Sequence, residues 1–334
     1  MSMRRKRISI IILIAIGFFI SFFGMGCNDN GSSGVSINNE NGDAEGTIRI
    51  GETHYTITTI DCFDSVLTVQ GINDAGQIVG DAAGADINGY LYDQGQCTSI
   101  RLGTYTEAMG INNLEQIVGV RGTTTCNDIG VGSESFLWDK TTNSLTTLEV
   151  PGSSNTTDNV CGFSANSTLA VGINDKAQIV GQFTDTNDLT HGFLYEEGNY
   201  EAIDVPGAST TIAAGINNAG QIVGNFLDAD GTTHGFLYSE GNYMTIDMPN
   251  ATSTTANDIN DAGQIVGNFL DADGTTHGFL YSEGNYMTID MPNAMSSYAL
   301  GINNLEQIVG YFKEKANGGI KTTGYMLTPL SSND

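Results

Sequence analysis

The chain has 334 residues, with 12 Lys and Arg against 38 Asp and Glu and a formal net charge of −26. Four of the 12 are Arg4, Arg5, Lys6 and Arg7, so everything after them is more acidic still. That sign repels phosphate backbones and anionic headgroups, which excludes nucleic-acid binding and electrostatic docking on membranes. Hydrophobic residues at 40% suffice for a core, and 43 Gly beside 5 Pro point to many tight turns rather than to collagen or a Pro-rich linker.

The basic start is followed by an uncharged run from Ile8 to Phe23 and then by Gly24-Met25-Gly26-Cys27. A basic segment, an apolar segment and small residues form a secretory signal over residues 1–26. The apolar run is short for a spanning helix, which needs roughly 20 residues. The small residues ending at Cys27 resemble a bacterial lipoprotein signal, although Gly24 stands where that pattern usually carries Leu. The resemblance implies that Cys27 becomes a lipidated N-terminus. The protein would then be exported to the bacterial cell envelope, at the outer membrane or cell surface, and touch the membrane only through its lipid. An ordinary signal peptide and an uncleaved anchor are the alternatives. Residues 27–46 are rich in Gly, Ser and Asn and cannot bury a core, so they read as a flexible tether to a domain at 47–334.

From Gly51 onward one pattern dominates. Gly-Ile-Asn-Asp-Ala-Gly-Gln-Ile-Val-Gly occupies 71–80, and close copies begin at Gly110, Gly172, Gly215, Asp258 and Gly301, spaced 39, 62, 43, 43 and 43 residues apart. Within residues 213–249 four short apolar runs alternate with Asn-, Asp- and Gly-rich turns, which predicts antiparallel meanders; none carries a helical period. A four-stranded propeller blade has this length. Small residues fall on the first strand (Ala108, Ala170, Ala213, Ala256, Ala299), where space near an axis is tight, and rings such as Phe236, Tyr238 and Tyr243 fall farther out. The last module ends without a fourth strand, whereas Tyr55–Asp61 matches a fourth strand and precedes the first module. A ring closed by that N-terminal strand hides both edges. The expectation is therefore an all-β, six-bladed β-propeller of four-stranded antiparallel blades. The 19 residues by which the 62-residue spacing exceeds 43 are too few for another blade and read as enlarged loops, at 120–135 and 152–170.

The modules, notably 215–224 and His234-Gly235-Phe236-Leu237-Tyr238, resemble the extracellular repeat proteins of the HAF family, whose His-Ala-Phe appears here as His-Gly-Phe. This implies a secreted or surface-exposed repeat protein and no particular activity.

Outside Cys27, four cysteines remain. Cys126 and Cys161 fall in the two enlarged loops, on one face, and are expected to pair. Cys62 and Cys97 pair by elimination or stay free thiols, since Cys62 follows a fourth strand and Cys97 opens one, which suggests opposite faces. Asp228/Asp230 and Asp271/Asp273 form two Asp-Ala-Asp-Gly turns, whose carboxylates and carbonyls make calcium the candidate cofactor; ordinary solvated turns are the alternative. His191, His234 and His277 occupy one equivalent position, away from the axis, and read as hydrogen-bonding to a nearby loop rather than as a joint metal site. Asp61, Asp204, Asp247 and Asp290 each end a fourth strand. The Asn and Gln found in every module (Asn217 and Gln221, for instance) read as turn and inter-blade hydrogen bonds.

Motifs for zinc hydrolysis, serine hydrolysis, phosphate binding and dithiol redox are missing from the sequence. Residues Gln221–Ala251 repeat without change as Gln264–Ala294. Catalysis needs different groups in different roles, whereas identical blades offer one surface twice. The reading is a surface-tethered or secreted binding module for a protein, glycan or matrix component, presented on the face with the enlarged loops. A carbohydrate-active hydrolase or lyase using carboxylates, or a structural envelope protein, are the alternatives.

Overall fold

A computed structural model describes residues 46–62, 66–83, 88–125, 131–157, 164–316 and 319–330. The signal at 1–26, Cys27, nearly all of the tether, Cys126 and Cys161 lie outside the described residues.

The chain opens with β1 (Thr47–Ile50) and β2 (Thr53–Ile60). Blade one is β3 (Val66–Ile72), β4 (Ile78–Ala83), β5 (Asn88–Asp93) and β6 (Gln96–Ile100). Blade two is β7 (Thr106–Ile111), β8 (Gln116–Thr125), β9 (Val131–Asp139) and β10 (Ser144–Leu148). A two-stranded arm follows, β11 (Asn155–Thr157) and β12 (Ser164–Asn166). Blade three is β13 (Thr168–Ile173), β14 (Ile179–Thr184), β15 (Thr190–Glu196) and β16 (Asn199–Ile203). Blade four is β17 (Thr210–Ile216), β18 (Ile222–Leu227), β19 (Thr233–Ser239) and β20 (Asn242–Ile246). Blade five is β21 (Ser253–Ile259), β22 (Ile265–Leu270), β23 (Thr276–Ser282) and β24 (Asn285–Ile289). Blade six takes β25 (Ser296–Ile302), β26 (Ile308–Ala316) and β27 (Gly319–Pro329) from the C-terminal end.

Its fourth strand is β2, antiparallel to β27 with Ile57 opposite Leu327 and Ile60 opposite Gly324. The chain is a six-bladed β-propeller, closed by its N-terminal strand as the module ends require. One element was not foreseen. The chain turns back at Gly51-Glu52 so that β1 adds a fifth strand outside β2, and Ile48 and Ile50 join the core between blades five and six.

The core lies between blades. Each third strand contributes one fully enclosed ring: Tyr90, Phe136, Phe193, Phe236, Phe279 and Tyr325. In the two blades where it is Tyr, its hydroxyl donates to an innermost-strand carbonyl, Thr68 O or Tyr298 O, so that the hydroxyl is not left unpaired. The alanines expected nearest the axis are buried, and each innermost strand carries a bulge just before the Ile-Asn of its module.

Two hydrogen-bonded rings circle the axis on the face that carries the first-to-second-strand turns. In the inner ring, Asn73, Asn112, Asn174, Asn217, Asn260 and Asn303 each donate from Nδ2 to the Gln of their own turn and to the backbone oxygen of the next blade's Asn. Asn303 donates to Asn73, 2.9 Å away and at the other end of the chain, and completes the circuit. In the outer ring the next residues alternate: Asp74, Asn113, Asp175, Asn218, Asp261, Asn304. Each backbone N–H donates to Oδ1 of the following member. Each Asn amide then bridges Oδ2 of the aspartates on either side, at 2.7–3.1 Å.

Candidate functional site

The opposite face carries the second-to-third-strand turns and the connections between blades, and the departures from the repeat gather there. Hairpin β8–β9 is lengthened, with a register shift between Gly122 and Thr125. The arm β11–β12 rises from the connection between blades two and three, and β12 lies against β9. Ser153, at the base of that arm, bridges to Asp185 in the blade-three turn, so the two kinds of loop share a face as the meander topology demands. The hairpin β26–β27 is also extended, and its tip shows Ile320 64% exposed.

On blades three to five this face repeats one polar cluster. His234, near the start of β19, stacks on Phe226 with ring centroids 5.2 Å apart. Its Nδ1 lies 2.8 Å from Asp247 Oδ2, at the end of β20, and its Nε2 lies 3.2 Å from Asp228 Oδ2, in the preceding turn. His277 repeats this with Phe269, Asp290 at 2.7 Å and Asp271 at 3.2 Å. His191 holds Asp204 at 2.9 Å and stacks on Phe183, but Asp185 stands 3.8 Å off. A neutral imidazole donates from one nitrogen only, so a ring between two carboxylates makes both bonds when it is charged. Partial burial opposes that charge, yet the hydrogen bonds that the rings donate to Asp247 and Asp228, and to Asp290 and Asp271, outweigh it and raise the pKa of His234 and His277. His234 and His277 thus each tie their own turn to their own outer strand, whereas His191 holds only the outer strand. The three clusters belong to separate blades and do not converge.

The two Asp-Ala-Asp-Gly turns are built by their first aspartate. Asp228 Oδ1 accepts from the N–H groups of Asp230 and Thr232, and Asp271 Oδ1 from those of Asp273 and Thr275. The bonds from Thr232 and Thr275 come first in lowering the Asp228 and Asp271 pKa values, with the histidines and the Asp230 and Asp273 N–H groups adding to them. Asp230 and Asp273 are exposed, and the four aspartates sit in two turns on adjacent blades rather than together. Among the described residues no group of three or more His, Cys, Asp or Glu side chains is arranged to hold a metal ion.

Cys62 and Cys97 form a disulfide, with Cα atoms 5.8 Å apart. The opposite-face expectation is corrected here. Cys97 pairs with Tyr92 and shares its side of the blade-one sheet, which looks toward blade six, and Cys62 enters the same layer from the end of β2. The bridge therefore runs through the gap between blades instead of across a face.

Two acidic sites escaped the sequence reading. Glu107, on the innermost strand of blade two, is pushed up to about 7 by burial and then by Asp81. Asp81, itself raised by burial, accepts a hydrogen bond from the Thr68 hydroxyl. Asp258 takes the place of a glycine on the innermost strand of blade five. Both are visible as departures from the module, but only the fold shows that these positions are enclosed near the axis.

No family model matches the chain, and no curated protein does. Solved structures do. The chain is similar to the β-propeller domain of the Trilobed protease from Pyrococcus furiosus, described as having an open velcro topology, at TM-score 0.51 and 13% identity over 84% of this chain and 88% of that one. It is similar to a protein of unknown function from Dyadobacter fermentans at TM-score 0.52 and 8% identity over 82% and 98%. A six-bladed fucose-recognising lectin from Aleuria aurantia aligns at TM-score 0.42 and 14% identity over 68% and 79%. At such identities the first two show the fold and nothing more.

Proposed function

We propose that this propeller is an exported interaction module that presents the face of β8–β9 and β11–β12 to a protein, glycan or matrix partner. The supporting observation is the packing of β12 against β9. Two irregular insertions from different connections meet on one side of an otherwise repetitive disc. Loops on a rigid scaffold are where binding concentrates, because the scaffold supplies order that the loops need not supply themselves. The disulfide Cys62–Cys97 fits an oxidising compartment. Export with lipidation of Cys27, and a Cys126–Cys161 bridge pinning both insertions, complete the proposal.

The test replaces residues 155–166 with a short Gly-Ser turn in the full chain. Binding to immobilised polysaccharides and envelope proteins is then compared with the unaltered chain. A binder lost at least tenfold on replacement, with an unchanged melting temperature, supports the assignment. An unchanged binding profile removes this face from consideration.

A further inference from the structure

Blades four and five are near-identical copies, and their differences are informative. From Ala208 to Ala251 against Ala251 to Ala294 only six positions differ. Ser209/Thr252 and Thr210/Ser253 exchange like for like. Asn218/Asp261 obeys the alternation of the outer ring. The remaining three, Ile212/Thr255, Ala214/Asn257 and Gly215/Asp258, all lie on the innermost strand, and each replaces hydrogen or hydrocarbon by an oxygen-bearing group.

At this level the innermost strands crowd the axis. A Cβ on Gly215 would stand 2.7 Å from Asp258 Cα and 2.8 Å from Asp258 Oδ1, and a Cβ on Gly110 would stand 2.6 Å from Val171 O. The carbonyls of Met109, Ala214, Asn257 and Gln70 approach the neighbouring glycine positions in the same way. Into this crowded ring Asp258 puts a carboxylate. One oxygen accepts from the N–H of its own neighbour Ile259 and the other from Ile302 N–H on β25, both at 2.9 Å. Among the described residues no Lys, Arg or His is ion-paired with it. The residue keeps some exposure, but its carboxylate is withdrawn from water, which raises its pKa to about 7.

A second, independent feature points the same way. Asn257 is 7% exposed and crosses the same gap to β25, donating from Nδ2 to Ala299 O at 2.8 Å. That bond fixes which end of the amide is oxygen, and the oxygen, Oδ1, has no hydrogen-bond partner. A buried unpaired acceptor, in the residue that precedes a carboxylate held by two N–H groups and no cation, costs free energy unless something with positive character answers it. The set is oxygen only, which suits a hard cation.

We infer that Asp258 and Asn257 form an axial site for a single hard cation of the Ca2+ or Mg2+ class, with backbone carbonyls of the innermost strands completing an all-oxygen environment. Oxygen ligands in a flexible ring suit such ions. The site is distinct from the Asp-Ala-Asp-Gly turns and independent of whatever the loop face binds.

The test uses the full chain in detergent at pH 8 and 0.15 M salt, where scattered surface carboxylates bind weakly. Calorimetric titration with Ca2+ and Mg2+ is run on the unaltered chain, on Asp258→Gly, which restores the residue of the sister blade, and on the pair Asp228→Asn and Asp271→Asn. The expected result is one saturable site per chain and a rise in melting temperature of roughly 2–6 °C. Both should be lost in Asp258→Gly and kept in the turn variant. Loss in the turn variant with retention in Asp258→Gly would move the ion to the turns and overturn the inference. So would the absence of saturable binding in the unaltered chain, which would leave a proton as the partner of Asp258.

Discussion

His234 and His277 are held between two carboxylates each, and the sign of the resulting pH dependence follows from the raised pKa. A group whose pKa is higher folded than unfolded stabilises fully below its unfolded value, about 6.5 for His, and loses that contribution as pH climbs through the folded value. The double variant His234→Gln, His277→Gln should therefore melt lower than the unaltered chain at pH 6, on the order of 2 °C for such partly exposed pairs, and at the same temperature near pH 9. Thermal melts from pH 5.5 to 9 check this; an equal deficit at both ends would mean the rings act by packing on Phe226 and Phe269 alone. The outer axial ring offers a second residue-level test. Asn218→Asp removes the amide that bridges Asp175 and Asp261 and sets three carboxylates in a row. It should lower the melting temperature, and added salt should restore part of the loss, whereas Asn218→Ala should show no such salt recovery.

At the level of strands, closure rests on β2 and on the bridge just beyond it. Cys62 and Cys97 are 35 residues apart, and a crosslink over such a loop stabilises by ~3–4 kcal/mol. Replacing both with Ser should lower the melting point by on the order of 10 °C, and dithiothreitol should lower that of the unaltered chain by at least as much. A variant that melts unchanged would show that β2 holds without the bridge. Much of this level was legible beforehand. The missing fourth strand after Tyr325 and the spare one before Gly71 announced the closure, and the module period announced the blades. What escaped was β1, because a four-residue strand leaves no periodicity to read. The disulfide partner escaped because its geometry depends on which side of a sheet looks toward which blade. The Asp–His–Asp clusters were half legible: the histidines, the turn aspartates and the outer-strand aspartates each recurred, but only the register of β19 against β18 and β20 brings them to one point.

For the molecule as a whole, the two faces divide the work. One is stitched by rings of amides and carboxylates, and the other carries the enlarged loops. The positions of Glu107, Asn257 and Asp258 were readable as exceptions to the module, but their enclosure near the axis is a property of six blades meeting and of no single one. The outer ring carries a further implication. Asp and Asn alternate around it, three of each, and every Asn amide needs an Asp on both sides. A circle can alternate only if its membership is even. Inserting a copy of one blade, or deleting one, would leave two like residues adjacent and break the pattern at the seam. The recent-looking copy agrees: blades four and five are almost identical, yet they differ where alternation demands it, Asn218 in one and Asp261 in the other. The ring thus imposes a parity rule on how this repeat can grow: the alternation survives only when blades are gained or lost in pairs.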